Sequence, residues 1–123
     1  MREKFSIRKR AHSFVYAFRG IFYTLRTQHN FWIQLALMLL ALVLGFVYDI
    51  GRMEWIAIAA VSGLVLSLEI INTAIETFLN NQYPGQDKKI GLVKDLAAGA
   101  VLMASIAALV VGLLIFIPKI FAL

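Results

Sequence analysis

The chain has 123 residues, 61% of them hydrophobic, with a mean hydropathy of +0.81 and a net charge of +5. That length allows one domain over residues 1–123, and that apolar content excludes an ordinary soluble globule in favour of an integral membrane protein. With no cysteine, disulfides, thiolate catalysis and thiolate metal sites are excluded, and His12 and His29 are the only imidazoles.

Residues 1–30 carry Arg2, Lys4, Arg8, Lys9, Arg10, Arg19 and Arg26 against a single acid, Glu3. Ile7, Ala11, Phe14, Phe18, Ile21, Phe22 and Leu25 recur every three to four residues, and His12, Tyr16, Arg19, Tyr23 and Arg26 form a second face. This pattern predicts an amphipathic helix lying on the membrane surface; a soluble helix packed on a partner is the alternative. No short apolar core with a small-residue cleavage site follows the basic start, so a signal peptide is not expected. The cations cluster beside apolar spans without a nucleic-acid motif, which makes them topology signals and anionic-lipid contacts and predicts no nucleic-acid partner. His12 and His29, outside the spans and without companion ligands, are expected to be solvated.

Phe31 to Tyr48 is long and apolar enough to cross a bilayer, and Gln34 is its only strongly polar side chain. A polar turn at residues 49–54 follows, with Gly51 free to adopt positive φ. The second span runs over residues 55–76, and Trp32 and Trp55 are expected to anchor span ends at the interface. Residues 77–95 form a polar interval with Pro84, Gly85 and Gly91 as expected helix breakers and with Lys88, Lys89 and Lys94. A third span covers residues 96–117, where Ala100, Ala104, Ala108 and Gly112 recur every four residues and let another helix approach closely. The fold class is therefore all-α integral membrane: an amphipathic surface helix plus three transmembrane helices. Seven Lys and Arg precede the first span and three lie between the second and third, whereas the first loop has only Arg52 and the C-terminus only Lys119. The positive-inside rule then places the N-terminus and the 77–95 interval in the cytoplasm.

The feature that breaks the apolar pattern is Glu69-Ile-Ile-Asn-Thr-Ala-Ile-Glu76. Glu69, Asn72, Thr73 and Glu76 share one helical face at i, i+3, i+4 and i+7. Ionisable groups are expensive inside a bilayer, so such a face usually meets a protein interior or a polar cavity. Counting from Trp55, Glu69 lies about six residues, roughly 9 Å, inside the far boundary and Glu76 lies at the surface. With Lys94 and Asp95 at the mouth of the third span, these groups suit phosphoryl transfer to a lipid hydroxyl: Glu69 as base, Glu76 as an oxygen ligand for Mg²⁺, Lys94 on phosphate. No G-x-x-x-x-G-K-[ST] loop and no protein-kinase motif set is present, so ATP would need another scaffold. From spacing alone, a proton path, an ion site or polar glue between helices stays open.

Glu69-x-x-Asn72-x-Ala74-x-Glu76, followed by Lys94-Asp95-x-Ala97-Ala98-Gly99-Ala100-Val101-Leu102, resembles the prokaryotic diacylglycerol kinase family, which includes undecaprenol kinases. The resemblance covers nearly the whole chain and includes Tyr16 and Gly20 in the N-terminal helix. It implies a homotrimeric membrane enzyme that uses Mg-ATP to phosphorylate a lipid alcohol, with sites shared between protomers. Carried onto this chain, it implies Glu69 as the base, Asn72 holding the site and Glu76 on the metal and the ATP phosphates. Lys94 and Asp95 would contact the nucleotide, assisted by Tyr16 and by Lys9 or Arg10. The NTAIE and KDLAAGAVL wording lies closer to the undecaprenol kinase branch. Three positions depart from the family pattern: Gln28 stands for the glutamate that shares the metal with Glu76, Asn80 for an aspartate, and Asp87 for a histidine. An amide at Gln28 removes one negative charge from a hard-cation site, so a weakly active or non-catalytic homologue that binds lipid and nucleotide is the alternative.

Overall fold

The computed structural model describes residues 4–85 and 87–122, and their only regular elements are four α-helices. These are α1 (Ile7–Thr27), α2 (His29–Val47), α3 (Arg52–Gln82) and α4 (Lys88–Ile120). Ser6 opens α1 by accepting a hydrogen bond from the Lys9 N–H at 3.4 Å, and Asp87 opens α4 by accepting from the Lys89 N–H at 2.7 Å. Both are short polar residues at the cap position, where an orphan N–H of the first turn needs an acceptor. Helices α2, α3 and α4 are each long and apolar enough to cross a membrane. Most of their large apolar side chains are exposed, as expected for surfaces that face hydrocarbon.

The helices outrun the expected spans. With 31 and 33 residues, α3 and α4 are roughly 46 and 50 Å long, more than a hydrocarbon core of about 30 Å can hold. Most of the 77–95 interval is therefore helix: α3 continues to Gln82, α4 begins at Lys88, and Gly91 lies inside α4 instead of breaking it. Pro84 and Gly85 do fall in the break. At the other end α4 passes through Pro118 to Ile120; the proline leaves the Leu114 carbonyl without its helical donor, and the helix ends two residues later. The surface helix stops at Thr27 and not at residue 30. Gln28 alone, at φ −115° and ψ 110°, separates α1 from α2, and His29 and Asn30 belong to α2. The Trp32 indole N–H donates to the Leu25 carbonyl at 2.6 Å and ties this corner.

Two expectations for the α2–α3 turn need correction. Gly51 is extended, at φ −74° and ψ 167°, and the left-handed residue is Asp49, at φ 48°. Aspartate is among the few non-glycine residues that adopt this conformation readily. Trp55 is not a bare interface anchor. It is partly buried against a cluster of Ile50, Ile58, Ile115 and Phe116, with its ring centroid 4.9 Å from that of Phe46. Gly45 is buried beneath the indole: a Cβ added there would lie 2.5 Å from Trp55 Cη2 and 3.1 Å from Ile50 Cδ1.

Just outside the apolar stretch, Glu54 accepts from the Gly51 N–H at 3.0 Å and pairs with Lys119 Nζ at 3.4 Å, clamping the start of α3 to the end of α4. The bond from Gly51 holds the Glu54 carboxyl below the usual carboxylate range; desolvation opposes this, and the Lys119 ammonium reinforces it. Helices α3 and α4 form the most extensive pair, with α2 on α3, and α1 touches α2 and α3. Within α1 only Ile21, Thr24 and Leu25 escape full exposure, so the helix is docked by its last two turns. In the small-residue stripe of α4, Ala104 is buried, Ala108 and Gly112 are half-buried, and Ala100 is exposed.

Candidate active site

The acidic face of α3 is the polar interior of the molecule. Glu69 is 2% exposed, Thr73 2% and Asn72 7%, while Glu76 one turn on is half-buried. The helical spacing puts them on one face, and that face turns inward, with Gln34 of α2 against Glu69. Buried polar groups in such a place need partners. The Glu69 carboxylate accepts from the Gln34 side-chain amide of α2, Nε2 to Oε2 at 3.2 Å. The Thr73 hydroxyl donates to the Glu69 main-chain carbonyl at 2.9 Å. Asn72 Nδ2 donates to Glu76 Oε1 at 3.4 Å, a long bond, and Asn72 Oδ1 is buried with no partner among the described residues.

Lys94 also reaches this face. Its Nζ donates to Asn80 Oδ1 at 2.5 Å, and Asn80 lies one turn beyond Glu76 on α3. The ammonium is therefore held at the open end of the acidic row by a neutral amide, and no carboxylate among the described residues pairs with it. Around it Asn80, Tyr83, Pro84, Asp87, Lys88 and Lys94 line an open, partly polar cleft of about 630 Å³. Asp87 has a local role as the α4 cap. Asp95 is exposed beside Lys94.

On the other side of Glu69 the lining becomes apolar. A groove of about 330 Å³ between α2, α3 and α4 begins at Gln34 and is walled by Ala41, Val65, Ala108, Gly112 and Phe116, among others. Glu69 thus lies beside the polar end of a hydrocarbon-lined groove.

The structure does not gather every residue singled out from the sequence. Arg10 and Tyr16 are exposed on α1: Arg10 lies over the Phe5 ring at 5.7 Å, and Tyr16 meets Arg19 at 5.5 Å and His12 at 6.4 Å. Lys9 is exposed on the same helix, and His12 and His29 are exposed as expected. Gln28, half-buried at the α1–α2 corner, makes no side-chain hydrogen bond to Glu76. Among the described residues no three His, Asp or Glu side chains converge as a metal cage. The oxygen donors at hand, Glu76 and the unpartnered Asn72 Oδ1, fit a Mg²⁺ that is held by one or two protein oxygens and otherwise by phosphate and water.

Two contacts escaped the sequence. Gln34 stood out as the one amide in an apolar span, and an amide there needs a hydrogen-bonding partner on another helix; the signal was present, and only the partner was missing. The Asn80–Lys94 contact had no such signal, because an exposed amide and a lysine fourteen residues apart are ordinary on a surface.

A family model described as prokaryotic diacylglycerol kinase matches residues 15–116. The undecaprenol kinase of Bacillus subtilis is 39% identical over 107 residues, covering 87% of this chain and 87% of that protein. The diacylglycerol kinase of Synechocystis sp. is 33% identical over 112 residues, covering 90% of this chain and 64% of that protein.

Proposed function

We propose that this chain, which belongs to the prokaryotic diacylglycerol kinase family, is a lipid kinase that transfers the γ-phosphoryl group of Mg-ATP to the hydroxyl of a long-chain lipid alcohol. The observation that carries the reading is Glu69, a buried carboxylate hydrogen-bonded by Gln34 where an apolar groove meets a polar face. The groove suits the hydrocarbon of the acceptor, and the carboxylate suits its hydroxyl. Undecaprenol is the acceptor we favour over diacylglycerol, because the 39% identical relative bears that name and aligns across most of its own length.

In this proposal Glu69 takes the hydroxyl proton as the lipid oxygen attacks the γ-phosphorus, and ADP leaves with the bridging oxygen. Lys94, held by Asn80, neutralises phosphate charge at the mouth of the cleft. Asn72 and Glu76 would hold Mg²⁺, which when bound offsets the charge of the phosphates. Asp95 flanks the nucleotide. Arg10 and Tyr16 are exposed on α1 and meet only Phe5, His12 and Arg19 in the ring contacts described, and in a homotrimer α1, with Lys9, would serve a neighbouring protomer's nucleotide. The bias of Lys and Arg supports a bacterial cytoplasmic membrane location with the N-terminus and the 83–87 connection on the cytoplasmic side, where ATP is available.

The test is transfer of labelled γ-phosphate by purified protein in mixed micelles, with undecaprenol and diacylglycerol supplied separately. Product from at least one lipid, and its loss by ~10²–10⁴-fold in Glu69→Gln with assembly unchanged, is the expected outcome. Full activity in Glu69→Gln removes it as the base. The second reading, a weakly active or non-catalytic homologue that keeps the pocket, rests on the neutral Gln28 and Asn80 and predicts little or no product from either lipid; no product, with Gln28→Glu equally inert, would sink the kinase reading.

A further inference from the structure

We propose that Gln34 is a positioning residue for the reaction, acting through Glu69, and this rests on Glu69 being the base. Among the described residues, the Gln34 amide is the one side-chain donor to the Glu69 carboxylate, and it comes from a different helix, thirty-five positions away in sequence. Glu69 is 2% exposed, so its carboxylate cannot exchange this donor freely for water. A carboxyl group on a long, three-torsion side chain has several rotamers; a single hydrogen bond from α2 selects the one that faces Gln34.

Two further observations separate this role from simple adhesion between helices. The other end of the same amide, Gln34 Oε1, is buried and has no hydrogen-bond partner among the described residues. A residue kept for adhesion alone would satisfy both of its polar atoms or be apolar, since a half-satisfied buried amide is worse for stability than a well-packed leucine. Gln34 also lines the apolar groove, at the end nearest Glu69. The position thus gives up packing quality for one directed N–H, and the group that N–H serves is the carboxylate assigned to take the proton.

The test uses the full chain in mixed micelles and three variants. Gln34→Leu, which fills the same space without the donor, is expected to lower kcat by roughly ten- to a hundredfold, with KM for lipid and for Mg-ATP within about twofold and thermal stability equal to or above wild type. Gln34→His, whose ring Nε2 has a reach close to that of the amide nitrogen, is expected to recover most of the lost kcat. Infrared spectra of protein carrying ¹³C-labelled glutamate, with the Glu69 band assigned by its loss in Glu69→Gln, should show that band displaced in Gln34→Leu. Wild-type kcat in Gln34→Leu, a rise in KM without a fall in kcat, or an unmoved Glu69 band would each overturn the proposal. If the wild type itself phosphorylates neither lipid, the kinase reading fails, and the infrared comparison still decides whether Gln34 holds Glu69.

Discussion

Replacing Gly45 with alanine places one methyl group where the structure has no room. The new Cβ would stand 2.5 and 2.8 Å from Trp55 Cη2 and Cζ2 and 3.1 Å from Ile50 Cδ1, whereas carbon atoms rest at about 3.5–4.0 Å. The indole must then retreat by about 1 Å. It is not the loose end of a flexible chain, because its ring packs on Phe46 and on the Ile50, Ile58, Ile115 and Phe116 cluster. Overpacking of this kind costs about 1–3 kcal/mol. Trp55 and Glu69 are fourteen residues apart on α3, roughly 21 Å along the axis, so the damage should stay away from the candidate site. Thermal unfolding in detergent micelles should show the loss, while kcat and KM measured well below the transition stay within about twofold of wild type. Removing the obstacle in Gly45→Ala/Trp55→Leu should give less than the sum of the two single losses, since the residues are in contact. A Gly45→Ala protein as stable as wild type would show that this end of the bundle is not packed as described.

Gln28→Glu restores a carboxylate near the corner of α1 and α2 and should lower the Mg²⁺ concentration needed for half-maximal activity; an unchanged or higher requirement would separate Gln28 from the metal. Asn80→Ala releases Lys94, and a severalfold rise in KM for Mg-ATP with little change in KM for lipid is the expected kinetic result. The carboxyl of Glu54 is held below its ordinary range in the folded protein, so its stabilising effect is present above the unfolded value of about 4.3 and fades as pH falls through the lower folded value. The difference in melting temperature between wild type and Glu54→Gln should therefore be flat from neutral pH to about pH 5 and should close under more acidic conditions.

Much of the architecture is written into the sequence at short range. Hydropathy marks α2, α3 and α4 because hydrocarbon admits little else, and the i, i+3, i+4, i+7 spacing puts Glu69, Asn72, Thr73 and Glu76 on one face. What stayed hidden depends on partners far along the chain or on competing local preferences. Gln34 and Glu69 meet only when α2 folds back on α3. Trp55 looks like an interfacial tryptophan until Gly45 is seen to make space for it. Gly51 is the obvious left-handed residue of its turn, yet Asp49 takes that role and leaves Gly51 extended where its N–H can reach Glu54. Gly91 failed as a helix breaker because its cost of about 1 kcal/mol against alanine is small beside the packing of a 33-residue helix.

The joint between α1 and α2 is one residue long, and that gives the surface helix the mechanics of a lever. Lys9 lies nineteen residues from Gln28, roughly 28 Å along α1, so turning the helix by about 10° at that joint carries Lys9 and Arg10 through roughly 5 Å. The two backbone dihedral angles of Gln28, the docking of Ile21, Thr24 and Leu25, and the Trp32–Leu25 tie together set where the basic end of α1 lies. A chemically neutral corner thereby acquires authority over a charge at the far tip of the helix.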